Sequence, residues 1–317
     1  MYYLLSKLKC RIDQLFSGAI LLIKLRSLKW TIVAVTNRVS IKMIKRSSNG
    51  IYIPKYDLLI NHPSLYFILD SLYYLDIIKR TLKANYKIVN DQFYVEWSDI
   101  ILNVKCKQEL FTIIEVFVLK EYNFIIENPS VLIDIGFNVG YTTLFFAKNR
   151  MVKKIYAFEP FDETLEQGKI NMNLNPKFKE KVCLYDYGLS DKNEERIISY
   201  NFKMKGSIGK LGYDASKNSH SIKKRIIIKR FDEIYLDIAK KEIENEIILK
   251  IDCEGDEYDI VKSLQGINKE LLPKIILIEW HKLGDQDIIN RLHSCGYHIF
   301  SFYAENYTRG NIYCVKK

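Results

Sequence analysis

The sequence predicts an α/β protein whose core is a mostly parallel sheet covered by helices on both faces, and three observations carry that expectation. From residue 130 short apolar runs alternate with amphipathic stretches in a strand, helix, strand, helix rhythm. A glycine-bearing turn, DIGFNVGYTT at 134–143, stands where an apolar run passes into a helical one. The last two strand-like runs, YHIFSFY at 297–303 and NIYCVK at 311–316, flank AENYTRG and read as a hairpin.

Taken in order, the chain opens with a basic leader, residues 1–50, that holds ten Lys or Arg and one acid, Asp13, a net charge of +9. The whole chain of 317 residues carries +10, so the remaining 267 residues are close to neutral at +1. That distribution argues against a nucleic-acid-binding body and places the charge where an anionic surface is met. The apolar run QLFSGAILLI, 14–23, is half of the roughly 20 residues a bilayer span requires. Lys24, Arg26 and Lys29 follow it, and Asp13 before it, with no small-residue cleavage site after it, fits a signal peptide poorly. Two readings stay open: a helix lying peripherally on an anionic membrane or docked on a partner, and a solvated extension helix packed on its own domain.

Residues 51–125 form an N-terminal extension. KYDLLINHPSLYFILDSLYYLDIIKR, within 51–85, has apolar residues at helical spacings, and 86–106 reads as strands joined by tight turns at Asn-Asp and Ser-Asp. QELFTIIEVFVLKEY, 108–122, puts Leu110, Ile113, Ile114, Phe117 and Val118 on one helical face. The main domain, 126–317, then gives the strand VLIDIG, a helix from about 140, the strand KIYAFEP, the helix ETLEQGKINMNLN and the strand KVCLYDYG. A polar excursion rich in Gly, Ser, Lys and Asn, 191–224, contains a short strand and leads to RIIIKR. The helix FDEIYLDIAKK, the strand EIILKID, a helix on DEYDIVKSL, the strand KIILIEW and a helix around QDIINRLHSCG complete the domain before the hairpin. The six cysteines are scattered without a CxxC pair, which excludes a zinc cluster or dithiol motif and suits reduced thiols in a cytoplasmic protein.

The chemistry concentrates at the predicted strand tips. Gly136 and Gly140 in DIGFNVGYTT have the spacing GxxxG, which is neither the GxGxxG of dinucleotide sites nor a P-loop. Asp134 beside them is a poor neighbour for phosphate and suits a cofactor carrying positive charge, such as the ammonium and sulfonium of S-adenosylmethionine. Glu159 closes IYAFEP 23 positions after Gly136, where an acid can accept hydrogen bonds from both ribose hydroxyls. In YGLSD, Gly188 and Leu189 can offer a backbone N–H and an apolar surface to adenine. KIDCEGDEYDI puts Asp252 and Glu254 at the mouth of a central strand, able to bind cofactor, act as a base or hold a divalent cation. Glu257 and Asp259 fall in the first helical turns that follow. IEWH brings His281 to the tip of the next strand, and an imidazole with a pKa near 7 is the natural base for a hydroxyl. The other histidines, His62, His220, His293 and His298, have no such setting.

In their order and spacing DIGFNVGYTT, AFEP, GLSD, RFDEIYLD, KIDCEGDEYDIV and IEWH resemble the FkbM-type S-adenosylmethionine-dependent methyltransferases over about residues 130–300. The resemblance implies a class I methyltransferase, Rossmann-like sheet of seven strands with the last antiparallel, and methylation of a hydroxyl on a sugar, glycan or natural-product scaffold. It also implies that Asp134, Gly136, Asn138 and Gly140 line the methionine side of the cofactor. Glu159 would hold the ribose, Gly188, Leu189 and Ser190 would border adenine, and Asp252 would face the reacting end. His281 is the first candidate base, with Asp252 or Glu254 second, directly or through a metal. Phe137 stands where the family has a small Ala. Three alternatives remain: a nicotinamide-dependent oxidoreductase, which lacks its GxGxxG; a nucleic-acid methylase, which lacks the Asn/Asp-Pro-Pro-aromatic signature; and a non-catalytic protein on the same fold.

Overall fold

In the computed structural model, which describes residues 20–37, 39–212, 216, 221–306 and 308–317, the chain divides into two units, residues 1–119 and 120–317. The first part of the leader, including the start of the 14–23 run and Cys10, lies outside the described residues, as do His220 and most of 213–220.

In the first unit residues 20–25 are helical, and Ser27 caps the helix α1 (Leu28–Thr36). The stretch with helical spacings at 51–85 begins instead as strands. β1 (Lys45–Arg46), β2 (Ile51–Ile53) and β3 (Leu58–Ile60) form a small antiparallel sheet. Ile51, Ile53, Leu58 and Ile60 are all buried, so the period-two burial of these short runs prevailed over the longer helical pattern around them. The helix α2 (Leu72–Leu82) follows and stops at Lys83, which takes the left-handed conformation. β4 (Asn85–Val89), β5 (Gln92–Trp97) and β6 (Ile100–Val104) then form an antiparallel meander, turning at Asn90–Asp91 and Ser98–Asp99 as the sequence predicts. The unit ends in α3 (Lys107–Ile113), which widens into a π-helical segment over Ile114–Leu119.

The second unit is built on β7 (Ser130–Ile135), α4 (Tyr141–Ala147), β8 (Val152–Phe158), α5 (Asp162–Leu174) and β9 (Val182–Tyr185). β10 (Gly188–Ser190), β11 (Glu194–Tyr200) and β12 (Ile222–Arg230) come next, then α6 (Phe231–Lys241), β13 (Glu246–Ile251) and α7 (Glu257–Leu264). β14 (Ile275–His281), α8 (Gln286–Ser294), β15 (Tyr297–Asn306) and β16 (Arg309–Lys316) complete it. Seven strands form one sheet in the order β15-β16-β14-β13-β7-β8-β9, parallel except for β16, which runs antiparallel to both neighbours. This is the class I methyltransferase arrangement. β10 does not continue β9, however. It leaves the main sheet, pairs in parallel with β12, and β11 adds antiparallel on the other side of β12, so the polar excursion builds a three-stranded side sheet.

Alternation along the strands separates two faces. Ile133, Leu249 and Ile278 pack in one apolar cluster with Tyr235, Ile260 and Leu292 from α6, α7 and α8. Asp134 and Lys250 point to the other face, toward Thr143 of α4. The five described cysteines are free thiols. Among the described residues no helix is long and apolar enough to cross a membrane.

The large residue at 137 is accommodated by a gap opposite it. Phe137 is 2% exposed, and a Cβ added at Gly168 of α5 would lie 2.2 Å from its ring. Gly168→Ala is therefore expected to destabilise the protein by roughly 1–3 kcal/mol through overpacking. Phe137→Leu in the same chain should recover part of that loss. Urea denaturation of the single and double variants measures the coupling, and strictly additive losses would refute the contact.

Candidate active site

The glycine turn between β7 and α4 is held from both sides. Gly136 and Phe137 donate their N–H groups to Phe158 O of β8 at 3.1 and 2.9 Å, and Asp252 N donates to Ile135 O at 3.0 Å. A Cβ on Gly136 would come within 1.7 Å of the Asp252 carbonyl oxygen, and its φ is +87°, so only glycine fits. Asn138 also has positive φ, 52°, a conformation asparagine tolerates well. The turn thus brings the tips of β7, β8 and β13 within hydrogen-bonding reach of one another.

A cavity opens at these tips. Gly136, Asn138, Glu159, Gly188, Leu189 and Asp252 line it, with Glu254 at one end. Three residues expected around the cofactor stand behind the wall instead. Asp134 is fully buried beneath the turn, Gly140 lies under the Phe137 ring, and Ser190 turns away to donate to Asp256 Oδ1 at 2.7 Å. Ser190 is drawn off by its bond to Asp256, and the bulk of Phe137 covers Gly140.

Glu159 is buried and accepts the N–H groups of Asn138 and Phe161 at 2.9 and 3.0 Å. Burial raises its pKa to about 7 despite those bonds and the nearby charges of Lys250 and Lys205. Lys205 and Gln167 were not marked by the sequence. Lys205 comes from the excursion, is 4% exposed, bonds Gln167 and sits 4.5 Å over the Phe202 ring while lining the cavity. Ile226 and Ile228 of the side sheet supply the apolar wall opposite Pro160.

Beneath the turn lies a second group that sequence reasoning passed over. Lys250 is 1% exposed, and its register on β13 sets it directly beside Asp134 of β7. Its ammonium stands 3.0 Å from Asp134 Oδ1 and 3.6 Å from Asp252 Oδ2, and donates to Gly136 O at 2.7 Å. Thr143 donates to the other Asp134 oxygen at 2.5 Å. Burial works against the lysine's charge, but the Asp134 and Asp252 carboxylates outweigh it and raise its pKa.

At the tips of β13 and β14 the acids gather around His281. Its Nδ1 lies 3.1 Å from Glu257 Oε1, and its Nε2 lies 3.5 Å from both Glu254 Oε2 and Glu279 Oε1. Glu257, in the first turn of α7 as expected, is fully buried and also accepts the His281 and Gly255 N–H groups. Burial opposes protonation of the imidazole, but pairing with Glu257 and Glu279 and the charge of Glu254 lift its pKa to about 11. The expectation of a base poised near neutrality therefore fails. Both ring nitrogens face carboxyl groups, which favour the charged form of the ring. Glu254 is raised to about 8, chiefly by burial, and Asp252 is raised by burial and by the charge of Glu279. Glu279 escaped notice although it shares the face of His281 two residues along β14. Among the described residues Asp252, Glu279 and His281 each offer one donor atom, all within 4.8 Å of one another.

This sheet order, with a glycine turn at the central strand and an acid at the tip of the next, defines the class of S-adenosylmethionine-dependent methyltransferases. Comparison with known proteins narrows it. The methyltransferase FkbM domain profile matches residues 134–299, and the chain belongs to that family. It is 22% identical over 184 residues to Methyltransferase 1 of Beauveria bassiana, covering 54% of this chain and 73% of the relative. Among solved structures it is similar to the methyltransferase FkbM of Methylobacillus flagellatus KT, with 13% identity, TM-score 0.42, and coverage of 85% of this chain and 67% of that one. It is also similar to precorrin-6y C5,15-methyltransferase of Geobacter metallireducens GS-15, with 12% identity, TM-score 0.36, and coverage of 64% and 87%.

Lys250→Met leaves the Asp134 carboxylate buried without its cation, and a loss of about 3–5 kcal/mol is expected in urea unfolding. Adding Asp134→Asn to that variant should restore much of the loss. If Lys250→Met is as stable as the parent, the pair does not organise the turn.

Proposed function

We propose that the chain transfers the methyl group of S-adenosylmethionine to a hydroxyl of a sugar, glycan or natural-product scaffold. The observation that carries this reading is the acid cluster at the β13 and β14 tips: Asp252 and Glu254 line the cavity, and Glu279 stands behind them, 3.5 Å from His281 Nε2. Attack by an alcohol requires somewhere for its proton to go, and Asp252 on the cavity wall is placed to accept it.

The residues present suit the cofactor. Asn138 Oδ1 is a buried acceptor without a partner, matched to an ammonium donor. Glu159 keeps lone pairs for ribose hydroxyls, and Leu189, Ile226 and Ile228 give an apolar slot for adenine. When bound, S-adenosylmethionine supplies a methyl group activated by its positively charged sulfur. Gly136 and Asn138 orient the methionine end, and Lys250 holds Asp252 beside it. Asp252 is the base in this reading: it would take the proton of the acceptor hydroxyl. His281, flanked by Glu254, Glu257 and Glu279, balances the charge of the cluster and fixes its geometry. The excursion lines the cavity with Lys205, Ile208 and Lys210 and is tied to β13's tip by Leu211 N, which donates to Glu254 O at 2.7 Å.

A second reading rests on the converging donors of Asp252, Glu279 and His281. They would hold a divalent cation once His281 gives up its proton, and the cation would make the hydroxyl more acidic. Full turnover after chelation, with no gain on adding magnesium or manganese, would rule it out.

A screen with trideuteromethyl-labelled cofactor against sugars, glycolipids and polyketide alcohols should yield an O-methyl product located by mass spectrometry. Methyl transfer only to nitrogen or carbon, or none with a tightly bound cofactor, would sink the proposal. Asp252→Asn is expected to lower kcat by a factor of about 10²–10⁴ with a much smaller change in cofactor Kd. Loss of cofactor binding with unchanged kcat would remove Asp252 from the reaction.

The pH profile of cofactor binding tests Glu159. Its pKa is raised in the free protein, so it holds a proton below about pH 7, whereas ribose hydroxyls are accepted best by the ionised form. Affinity for S-adenosylmethionine should be full above that pH and fall up to about tenfold per unit below it. Glu159→Gln should flatten the profile at the weak limit, and calorimetry across pH 5.5–8.5 gives the answer.

A further inference from the structure

The first unit carries a surface that cofactor chemistry does not use. α1 is apolar almost all round: Trp30 and Ala34 are buried on its inner side, while Leu28, Ile32 and Val35, at i, i+4 and i+7, form an outward stripe. Leu28 is 67% exposed and Ile32 56%. The helical residues just before it add Ile20, Leu22 and Ile23, the last 75% exposed. A helix that is hydrophobic on both sides is ordinarily covered on both, and a contiguous exposed patch of this kind marks an interaction site.

Charge selects what covers it. Lys24, Arg26 and Lys29 lie among the exposed apolar residues, Lys42, Lys45 and Arg46 follow, and no acid occurs anywhere between Asp13 and Asp57. A patch that combines insertable side chains with cations is complementary to an anionic lipid surface. Its apolar residues can enter the headgroup boundary while the basic side chains remain at phosphate level. We propose that residues 20–36 form a membrane-surface docking face that holds the chain on anionic lipid. The face has too few apolar residues to span a bilayer, so the attachment is peripheral and reversible.

Flotation of the full chain with vesicles of phosphatidylcholine, with and without phosphatidylserine, tests this. Binding is expected only with phosphatidylserine and should fall steeply with added salt. Lys24→Glu with Lys29→Glu should weaken it on the order of 25-fold or more, about fivefold for each charge lost. Leu28→Glu with Ile32→Glu should abolish it, while the thermal shift given by S-adenosylmethionine stays unchanged as a check on folding. Failure to float with anionic vesicles overturns the proposal, as does binding that survives Leu28→Glu with Ile32→Glu. Self-association lost in that variant, in a chain that never binds vesicles, would assign the stripe to a second copy and overturn it equally.

Discussion

The buried ammonium of Lys250 is the interaction on which the site depends. It sits between two carboxylates on neighbouring strand tips, Asp134 and Asp252, and ties down the carbonyl of Gly136 at the start of the glycine turn. Two acids placed this close would repel each other, and the cation between them offsets that repulsion. The turn can then be tight, because its backbone is held by β8 on one side and by Lys250 and Asp252 on the other. Neutral residues in these places could fill the space, but they would leave the strand tips without the negative charge that a cationic cofactor requires.

The same logic recurs one strand further along, with the roles exchanged. There the single cation is His281, and Glu254, Glu257 and Glu279 surround it. An imidazole in that setting is a fixed charge more than a proton shuttle. Proton acceptance therefore moves to the acids it organises. Glu254 also adopts a left-handed backbone, φ 57°, and its carbonyl accepts the bond from the excursion at the boundary of the cavity.

Much of this could be read from the chain. The parallel core, the glycine turn, the acid at 159 and the final hairpin all follow from local pattern, because each strand here is a short apolar run with its chemistry at the end. Asp252 and His281 were legible for the same reason. What local pattern hides is register. That Lys250 faces Asp134 depends on a pairing across more than a hundred residues, and that Glu279 joins His281 depends on which face of β14 looks toward the acids. The excursion gave no sign that its strands would fold back on β10, since Glu194, Arg196 and Lys224 make them look solvent-facing. The setting of the imidazole was hidden because Glu254 and Glu257 reach it from the tip of a different strand. Ile51–Ile53 and Leu58–Ile60 were hidden by helical spacing in the residues around them.

The central pairing of β7 with β13 has a bearing on how the molecule comes into being. During synthesis the glycine turn and Asp134 emerge long before Lys250, with the side sheet and α6 still to be made. Until β13 arrives, Asp134 has no cation and the turn lacks half of its support. Local hairpins such as β15 with β16 can form in microseconds, whereas closing so long a loop delays the middle of the sheet. The cofactor cavity is thus among the last parts of the domain to be completed, and a chain cut short before residue 250 should have no competence to bind ligand, however well its first strands have formed.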